Sequence, residues 1–264
     1  MQKRQVIIAF SGRKCAGKNT IANYVKQCYG DAFECSFADS LKEFCIDTLG
    51  LSREQCYGTD DQKNSLTEYE WENVNDYLRW KFGTREFRIA LNSQVSNEIA
   101  GAFIPGKSIA DNNLYDYYHR MVYEFNLEPV GLKHGFITAR EVMQIFGTEL
   151  IRSTFGNVWA SATIRRIKKQ GKLLSVITDN RFPNETEAVL REPEGHVIRL
   201  TRSPFGVEDR HSSESGLDDY DWNRARCHVL DNSKMSIDKQ SKAVTPILEE
   251  IIGCQLTPNL DQEQ

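Results

Sequence analysis

The hydrophobic pattern predicts a parallel sheet. Five short runs are strand candidates, at residues 6–10, 34–37, 173–178, 196–200 and 228–230. The first and third runs are almost wholly apolar and rich in β-branched residues, which is typical of strands buried on both faces of a parallel sheet. Amphipathic segments with helical spacing separate the runs. The pattern predicts a three-layer α/β fold with a five-stranded parallel sheet.

The first apolar run leads directly into a glycine-framed loop. Gly12 and Gly17 enclose four residues and precede Lys18, which is the spacing G-x-x-x-x-G-K. Backbone N–H groups in such a loop can surround phosphate oxygens while the lysine reaches the β and γ phosphates. Helical periodicity begins at Ala16, and the positive end of a helix favours an anion. The predicted nucleotide-binding residues are Gly12, Cys15, Ala16, Gly17, Lys18, Asn19 and Thr20.

Two residues are candidate magnesium ligands. Because Asn19 follows Lys18, the hydroxyl comes one place later, at Thr20, and this order G-K-x-T resembles nucleoside monophosphate kinases such as adenylate kinase. Asp179 follows the third run, and an acid on the strand beside the loop strand often orders magnesium directly or through water. The alternative for Asp179 is a turn residue. Lys18, Asp179 and Arg181 are the predicted catalytic residues.

Long polar intervals interrupt the sheet pattern. Residues 50–135 contain no further sheet strand, which predicts an inserted, partly helical cap that carries substrate specificity. Lys63 and Trp71 within it are candidate substrate contacts, although the solvated surface is the place expected for both. Residues 201–227 are either a lid or an ordinary surface loop, and residues 255–264 are expected to form a disordered tail. Residues 1–254 are expected to form one domain with these insertions.

A helix is predicted to begin at a capping box. The sequence T-A-R-E starts at Thr138, and threonine followed three residues later by glutamate is typical of a helix start. Arg140, Gln144 and Thr148 are spaced by four and form a polar stripe, which faces either solvent or a ligand. Gly147 costs a helix about 1 kcal/mol relative to alanine. We therefore expect something to pack or bind close to its backbone.

Composition excludes several classes of function. A net charge of −4 and a pI near 5.8 give no global field that attracts nucleic acid, so a nucleic-acid partner is not expected. The seven cysteines form neither C-x-x-C pairs nor zinc-site spacings and are expected to be reduced thiols. No segment has the length of a membrane span or of a signal-peptide core. These features predict a cytoplasmic protein without a membrane partner and leave oligomeric state open, a homodimer included.

Six segments, in this order, resemble the deoxynucleoside monophosphate kinases of tailed bacteriophages. They are GRKCAGKNT, ADSLK, TAREVMQIFGTELIR, Trp159, DNRFPNE and LDNS. The resemblance covers both ends of the chain well and residues 50–135 poorly. It implies a P-loop kinase fold, ATP and Mg²⁺ as cofactors, a deoxynucleoside monophosphate as substrate, and residence in the host cytoplasm.

The resemblance also implies roles for individual residues. Gly17, Lys18, Asn19 and Thr20 would hold the donor nucleotide, and Lys14 would reach the acceptor's phosphate. The ADSLK segment matches the family's acceptor-binding turn and contributes Asp39, Leu41 and Lys42. The residues that would surround the acceptor are Arg140, Gln144, Gly147, Thr148, Arg152 and Trp159.

Alternatives to monophosphate phosphorylation remain open from the sequence. A monophosphate is largely dianionic near pH 7, because its second pKa is about 6, and it needs no general base. A hydroxyl acceptor on a nucleoside, on dephospho-coenzyme A or on a modified base in phage DNA does need one, and Asp39, otherwise a helix N-cap, suits that role. A non-kinase ATP-binding switch and redox control through Cys15 are further hypotheses.

Overall fold

The computed structural model describes residues 4–74, 133–152, 156–203 and 216–254. The chain forms two compact units, which we call the first unit (residues 1–38 and 163–264) and the second unit (residues 39–162). The predicted insertion, 50–135, lies within the second unit, and its residues 75–132 lie outside the described part. So do residues 204–215 of the candidate lid and the predicted tail, 255–264.

Seven strands lie in the described residues. They are β1 (Val6–Ser11), β2 (Ala32–Cys35), β3 (Leu66–Glu70), β4 (Phe136–Thr138), β5 (Leu174–Asn180), β6 (Gly195–Leu200) and β7 (Cys227–Leu230). In the first unit, five of them form a parallel sheet in the order β2-β5-β1-β6-β7. In the second unit, β3 and β4 pair antiparallel. The prediction of a five-stranded parallel sheet is confirmed.

Eight α-helices accompany the strands in the described part. They are α1 (Lys18–Tyr29), α2 (Ala38–Leu49), α3 (Arg53–Tyr57), α4 (Asp60–Lys63), α5 (Ala139–Gln144), α6 (Val158–Gln170), α7 (Pro183–Leu190) and α8 (Ile237–Ile252). A 3₁₀ turn spans Trp71–Asn73, and a π-helix spans Ile145–Arg152. The part of residues 50–135 that the structure describes contains α3, α4, the 3₁₀ turn and strand β3.

Two predictions about individual elements were wrong, one about the end of a strand and one about the continuity of a helix. Strand β2 ends two residues before the predicted end at 37, because the carboxylate of Asp179 accepts hydrogen bonds from the N–H groups of Phe37 (2.6 Å) and Ala38 (3.0 Å). Helix α8 continues through Pro246, where an interruption was predicted. A proline inside a helix costs about 3 kcal/mol. Burial of Val244 and Leu248, at about 1.5–3 kcal/mol each, offsets that cost.

The core of the first unit lies between the sheet and helices α1 and α8. Its fully buried members include Ile8, Phe10, Val176, Ile198, Ile21, Val25, Val244 and Leu248. Because β1 lies in the centre of the sheet, between β5 and β6, the loop that follows β1 is anchored by strands on both sides.

The second unit has its own hydrophobic core, and its helix that begins at Ala139 changes from an α-helix to a π-helix. Thr138 Oγ1 accepts the N–H of Glu141 at 3.2 Å, and a Glu141 carboxylate oxygen accepts the N–H of Thr138 at 3.0 Å, which confirms the predicted capping box. The α-helical part ends at Gln144, and a π-helix follows. A π-helix bonds residue i to residue i+5, so the predicted four-residue stripe does not extend as an α-helical face to Thr148.

The described helices include none that is both long and apolar enough to cross a membrane. All seven cysteines are free thiols.

Candidate active site

The loop between β1 and α1 has the conformation of an anion cradle. Gly17 has φ 100°, in the left-handed region that favours glycine, and a Cβ there would lie 2.6 Å from Gln240 Nε2. A Cβ at Gly12 would lie 3.0 Å from the Cβ of Ala16. Cys15 is exposed, with φ 58°. The backbone conformation therefore favours glycine at Gly17, and a side chain at Gly12 would be confined against Ala16.

Lys18 lies inside this loop, at its junction with α1. Its side chain is buried, and Nζ donates hydrogen bonds to the carbonyl oxygens of Gly12 at 2.6 Å and Arg13 at 2.9 Å. Helix α1 begins at Lys18, so the positive end of the helix lies at the loop, where it favours an anion. Asn19 is exposed and Thr20 is half-buried in the same turn, and Lys14 is exposed on the loop. The predicted phosphate-binding residues are thus together.

An ion-pair network that the sequence did not predict holds Arg13. Its guanidinium lies 2.5 Å from a carboxylate oxygen of Asp218, whose other oxygen lies 3.4 Å from Arg199. Arg199 also donates to the hydroxyl of Ser11 at 3.1 Å and lies over the ring of Trp222. The network connects the described end of the candidate lid, residues 216–227, to the loop and to β1. No local pattern in the sequence signals it.

Asp179 and Arg181 lie at the carboxyl end of β5, next to the loop strand. Both carboxylate oxygens of Asp179 accept backbone hydrogen bonds at the start of α2, as described above. Arg181 is half-buried and its N–H donates to Glu185 at 2.8 Å. Asp179 therefore has a structural contact in addition to its predicted function as a metal ligand.

The oxygen atoms of Thr20 and Asp179 would suit a bound magnesium ion. The described residues contain no group of three or more His, Cys, Asp or Glu side chains that could hold a metal. Mg²⁺ commonly takes one or two protein ligands and completes its shell with substrate phosphates and water. A hydroxyl at Thr20 and a carboxylate at Asp179 are oxygen donors of that type, so the residues present fit the ion.

In the second unit, Gly147 is tightly packed, as predicted. A Cβ there would lie 2.2 Å from Cδ2 of Leu41, and its carbonyl accepts the indole N–H of Trp159 at 3.0 Å. Trp159 is 2% exposed, and its ring lies 6.2 Å from that of Phe44. Leu41 and Trp159, two of the predicted acceptor-binding residues, thus meet at the backbone of a third.

A cationic cluster surrounds the start of α5. Arg140 Nη2 lies 2.7 Å from Asp60 Oδ1, and the N–H of Ala139 donates to the carbonyl of Ser65 at 3.0 Å. These contacts bring the end of α4, and with it Lys63, to Arg140. Partial burial lowers the pKa of Lys63, and the positive charges of Lys42 and Arg140 lower it further, against the opposing charge of Asp60. We call Lys42, Lys63 and Arg140 the cationic cluster.

Lys63 is half-buried, so its expected place at the solvated surface was wrong, and the same holds for Trp71, whose ring faces Lys133. Lys42 lies over the ring of Tyr57, 4.6 Å from its centroid. No sequence pattern marks Lys63, because α4 is a single polar turn without periodicity.

The other predicted acceptor residues lie in the same unit. Asp39 is half-buried in the first turn of α2, and its carbonyl accepts the hydroxyl of Tyr57 at 3.5 Å. Gln144 ends α5 and Arg152 ends the π-helix, both half-buried. The side chain of Thr148 lies outside the described part.

A parallel sheet with β1 in its centre, followed by a glycine-framed loop, a buried lysine and a helix N-terminus, defines a P-loop kinase fold. The sequence model of the deoxynucleotide monophosphate kinase family matches residues 6–235. The chain therefore belongs to the deoxynucleotide monophosphate kinase family, a family of phosphotransferases, and the predicted resemblance is confirmed.

Two relatives agree with this assignment. The chain is 26% identical over 231 residues to a deoxynucleoside-5'-monophosphate kinase of Escherichia phage T5, with 80% of this chain and 85% of the relative covered. It is 27% identical over 214 residues to an Acanthamoeba polyphaga mimivirus protein named "Putative deoxynucleotide monophosphate kinase", with 80% and 82% covered.

Proposed function

We propose that this protein transfers the γ-phosphoryl group of ATP to a deoxynucleoside monophosphate and forms the diphosphate, in the cytoplasm of a host cell. The observation that carries the proposal is the presence of a phosphate-binding loop in the first unit and of the cationic cluster in the second. Family membership favours a monophosphate acceptor over the hydroxyl acceptors and over the non-kinase switch that the sequence left open.

The donor nucleotide is assigned to the loop. Its backbone N–H groups and the N-terminus of α1 would bind the β and γ phosphates. Lys18 at present donates to the carbonyls of Gly12 and Arg13, and its charge would neutralise part of the charge on those phosphates. Lys14, exposed on the same loop, is assigned to the acceptor's phosphate.

The acceptor is assigned to the second unit. The cationic cluster places two lysines and an arginine near one another, with the carboxylate of Asp60 beside Arg140. Such a group of cations suits a phosphate dianion, and the planar guanidinium of Arg140 can donate two parallel hydrogen bonds to it. Leu41, Gln144, Gly147, Thr148, Arg152 and Trp159 are assigned to the surroundings of the nucleoside.

The chemistry then needs alignment and charge neutralisation rather than a base. The acceptor's phosphate oxygen is already ionised near pH 7. It forms a bond to the terminal phosphorus of ATP, the bond from that phosphorus to the bridging oxygen breaks, and ADP leaves. Lys18, Arg181 and the cationic cluster would reduce the repulsion between the two anions. Magnesium, held through Thr20 and Asp179, would supply further neutralisation of the donor phosphates.

A product assay tests the proposal. Purified protein is mixed with Mg²⁺ and ATP and with dGMP, dTMP, dCMP, dAMP or a 5-substituted pyrimidine monophosphate, and the diphosphate is measured by chromatography. We expect at least one diphosphate, formed in equal amount with ADP. The matched control is Lys18→Met, which keeps the length of the side chain without its charge and should lose the product. Equal phosphate release with and without every acceptor, and no diphosphate, would refute the proposal.

A further inference from the structure

Two buried amide side chains lie beneath the phosphate-binding loop and contact its backbone. Asn232 follows β7, and Gln240 lies in the first turn of α8, and each is at most 1% exposed. Asn232 Nδ2 donates to the carbonyl of Ala16 at 2.7 Å, and Gln240 Nε2 donates to the carbonyl of Gly17 at 3.2 Å. Neither residue belongs to the predicted nucleotide-binding set.

The orientation of both amides is determined by a chain of donors. The backbone N–H of Arg202 can only donate, and it lies 2.9 Å from Asn232 Oδ1. Asn232 Nδ2 then faces the carbonyl of Ala16 and, at 2.8 Å, Gln240 Oε1. Gln240 Nε2 is left for the carbonyl of Gly17, which can only accept. Every contact pairs a donor with an acceptor, so neither amide can turn over without loss.

These contacts fix two N–H groups of the loop. The peptide unit is planar and trans, so a carbonyl and the N–H of the next residue point in opposite directions. Holding the carbonyls of Ala16 and Gly17 against the two amides therefore turns the N–H groups of Gly17 and Lys18 away from them. Those two N–H groups lie at the junction of loop and helix, where a phosphate is expected to bind.

We propose that Asn232 and Gln240 are positioning residues for the donor phosphates, and that they act by fixing the peptide planes that follow Ala16 and Gly17. The inference rests on the proposed role of the loop as the ATP site. It also explains the glycine at position 17, because a Cβ there would lie 2.6 Å from Gln240 Nε2 and 2.7 Å from Oε1.

The test measures equilibrium binding of Mg-ATP, in the absence of acceptor, by titration calorimetry. Gln240→Met keeps the length of the side chain and removes its donor and acceptor, and we expect ATP to bind at least about tenfold more weakly. The matched control is Thr245→Val, on the same helix. It removes a hydroxyl that is hydrogen-bonded to Tyr24 of α1 at 2.8 Å and to the carbonyl of Ser241 at 2.7 Å, both outside the loop. Its ATP affinity should stay within about twofold of wild type.

A second variant separates positioning from stability. Gln240→Glu has a donor for the carbonyl of Gly17 only when its carboxyl is protonated, and burial raises the pKa of such a carboxyl. Relative to wild type at the same pH, its ATP affinity should recover between pH 8 and pH 5.5, whereas Gln240→Met should not recover. A purely structural role predicts no such recovery.

Two results would overturn the inference: ATP affinity of Gln240→Met within twofold of wild type, or a relative affinity of Gln240→Glu that is weakened equally at both pH values. If Gln240→Met does not fold, Gln240→Glu decides alone. The proposed function is judged separately. If wild type binds ATP but forms no diphosphate from any acceptor, the proposed function fails, and the binding data still decide the positioning of the loop.

Discussion

Gly147→Ala offers a sharp test of how the second unit is packed. The added Cβ would lie 2.2 Å from Cδ2 of Leu41 and 3.3 Å from its Cγ and Cδ1. Real side chains do not approach so closely, so Leu41 must rotate or its helix must shift. Leu41 is half-buried and precedes Lys42 of the cationic cluster. The substitution should therefore disturb the proposed acceptor side without touching the phosphate-binding loop.

The expected magnitude follows from two opposing effects. Overpacking a filled site costs about 1–3 kcal/mol. Alanine restores up to about 1 kcal/mol, because glycine is unfavourable in a helix interior. The net loss in the free energy of unfolding is then about 0–3 kcal/mol. Leu41→Ala removes the atoms that clash, so the overpacking cost should disappear in the double variant. The two substitutions should thus couple by about 1–3 kcal/mol, with the double variant more stable than the sum of its parts predicts.

The assay is urea unfolding of wild type, both single variants and the double variant, with KM for the acceptor measured alongside. We expect Gly147→Ala to raise that KM while the affinity for ATP stays unchanged. Additive free energies, within about 0.5 kcal/mol, would show that the two residues do not contact each other as described. An equal loss of ATP affinity would refute the separation of donor and acceptor effects.

Three further predictions concern charge. Lys63→Met should raise KM for the acceptor about 10–100-fold, since a hydrogen bond to a charged group contributes about 1.5–3 kcal/mol, and an unchanged KM would exclude Lys63 from the site. Asp39→Asn should leave turnover of a monophosphate within about tenfold of wild type, because the acceptor needs no base, and a collapse of turnover would instead support a hydroxyl acceptor. Burial lowers the pKa of His196, with His228 as a second cause, and burial also lowers the pKa of His228. The unfolded chain therefore takes up more protons below about pH 6.5, so stability should fall as the pH drops from 7.5 to 5.5. The double variant of both histidines to glutamine should lose less over the same range in urea unfolding, and an equal loss would contradict the assignment.

The first unit was largely predictable because its signals are local. Strands β1 and β5 are nearly continuous apolar runs, and the phosphate-binding loop is recognised by the spacing of Gly12, Gly17 and Lys18. The capping box at Thr138 is similarly readable, since its two partners are three residues apart. Boundaries failed where a distant group intervened, as at Phe37, whose N–H binds the carboxylate of Asp179.

Contacts between distant parts of the chain could not be predicted from spacing. Arg13 pairs with Asp218, 205 positions away, and Ala16 binds Asn232, 216 positions away. Lys63 illustrates the same limit in the second unit. A lysine at the end of one polar turn is indistinguishable from a solvated residue until Arg140 is brought beside it. Such contacts depend on the fold, which is decided by the apolar runs rather than by the polar residues themselves.

Several polar side chains in this protein act on the backbone of ligand-binding segments. Trp159 donates to the carbonyl of Gly147, Asp179 accepts the N–H groups at the start of α2, and Gln240 donates to the carbonyl of Gly17. A residue that fixes a backbone segment is needed for binding as strictly as a residue that touches the ligand. The reason is that a shifted peptide plane displaces the protein N–H groups that would donate to the ligand. Motif matching found Trp159 and Asp179 in this way but did not find Gln240. Variants that keep the shape of a side chain but remove its hydrogen bond are what distinguish support from contact.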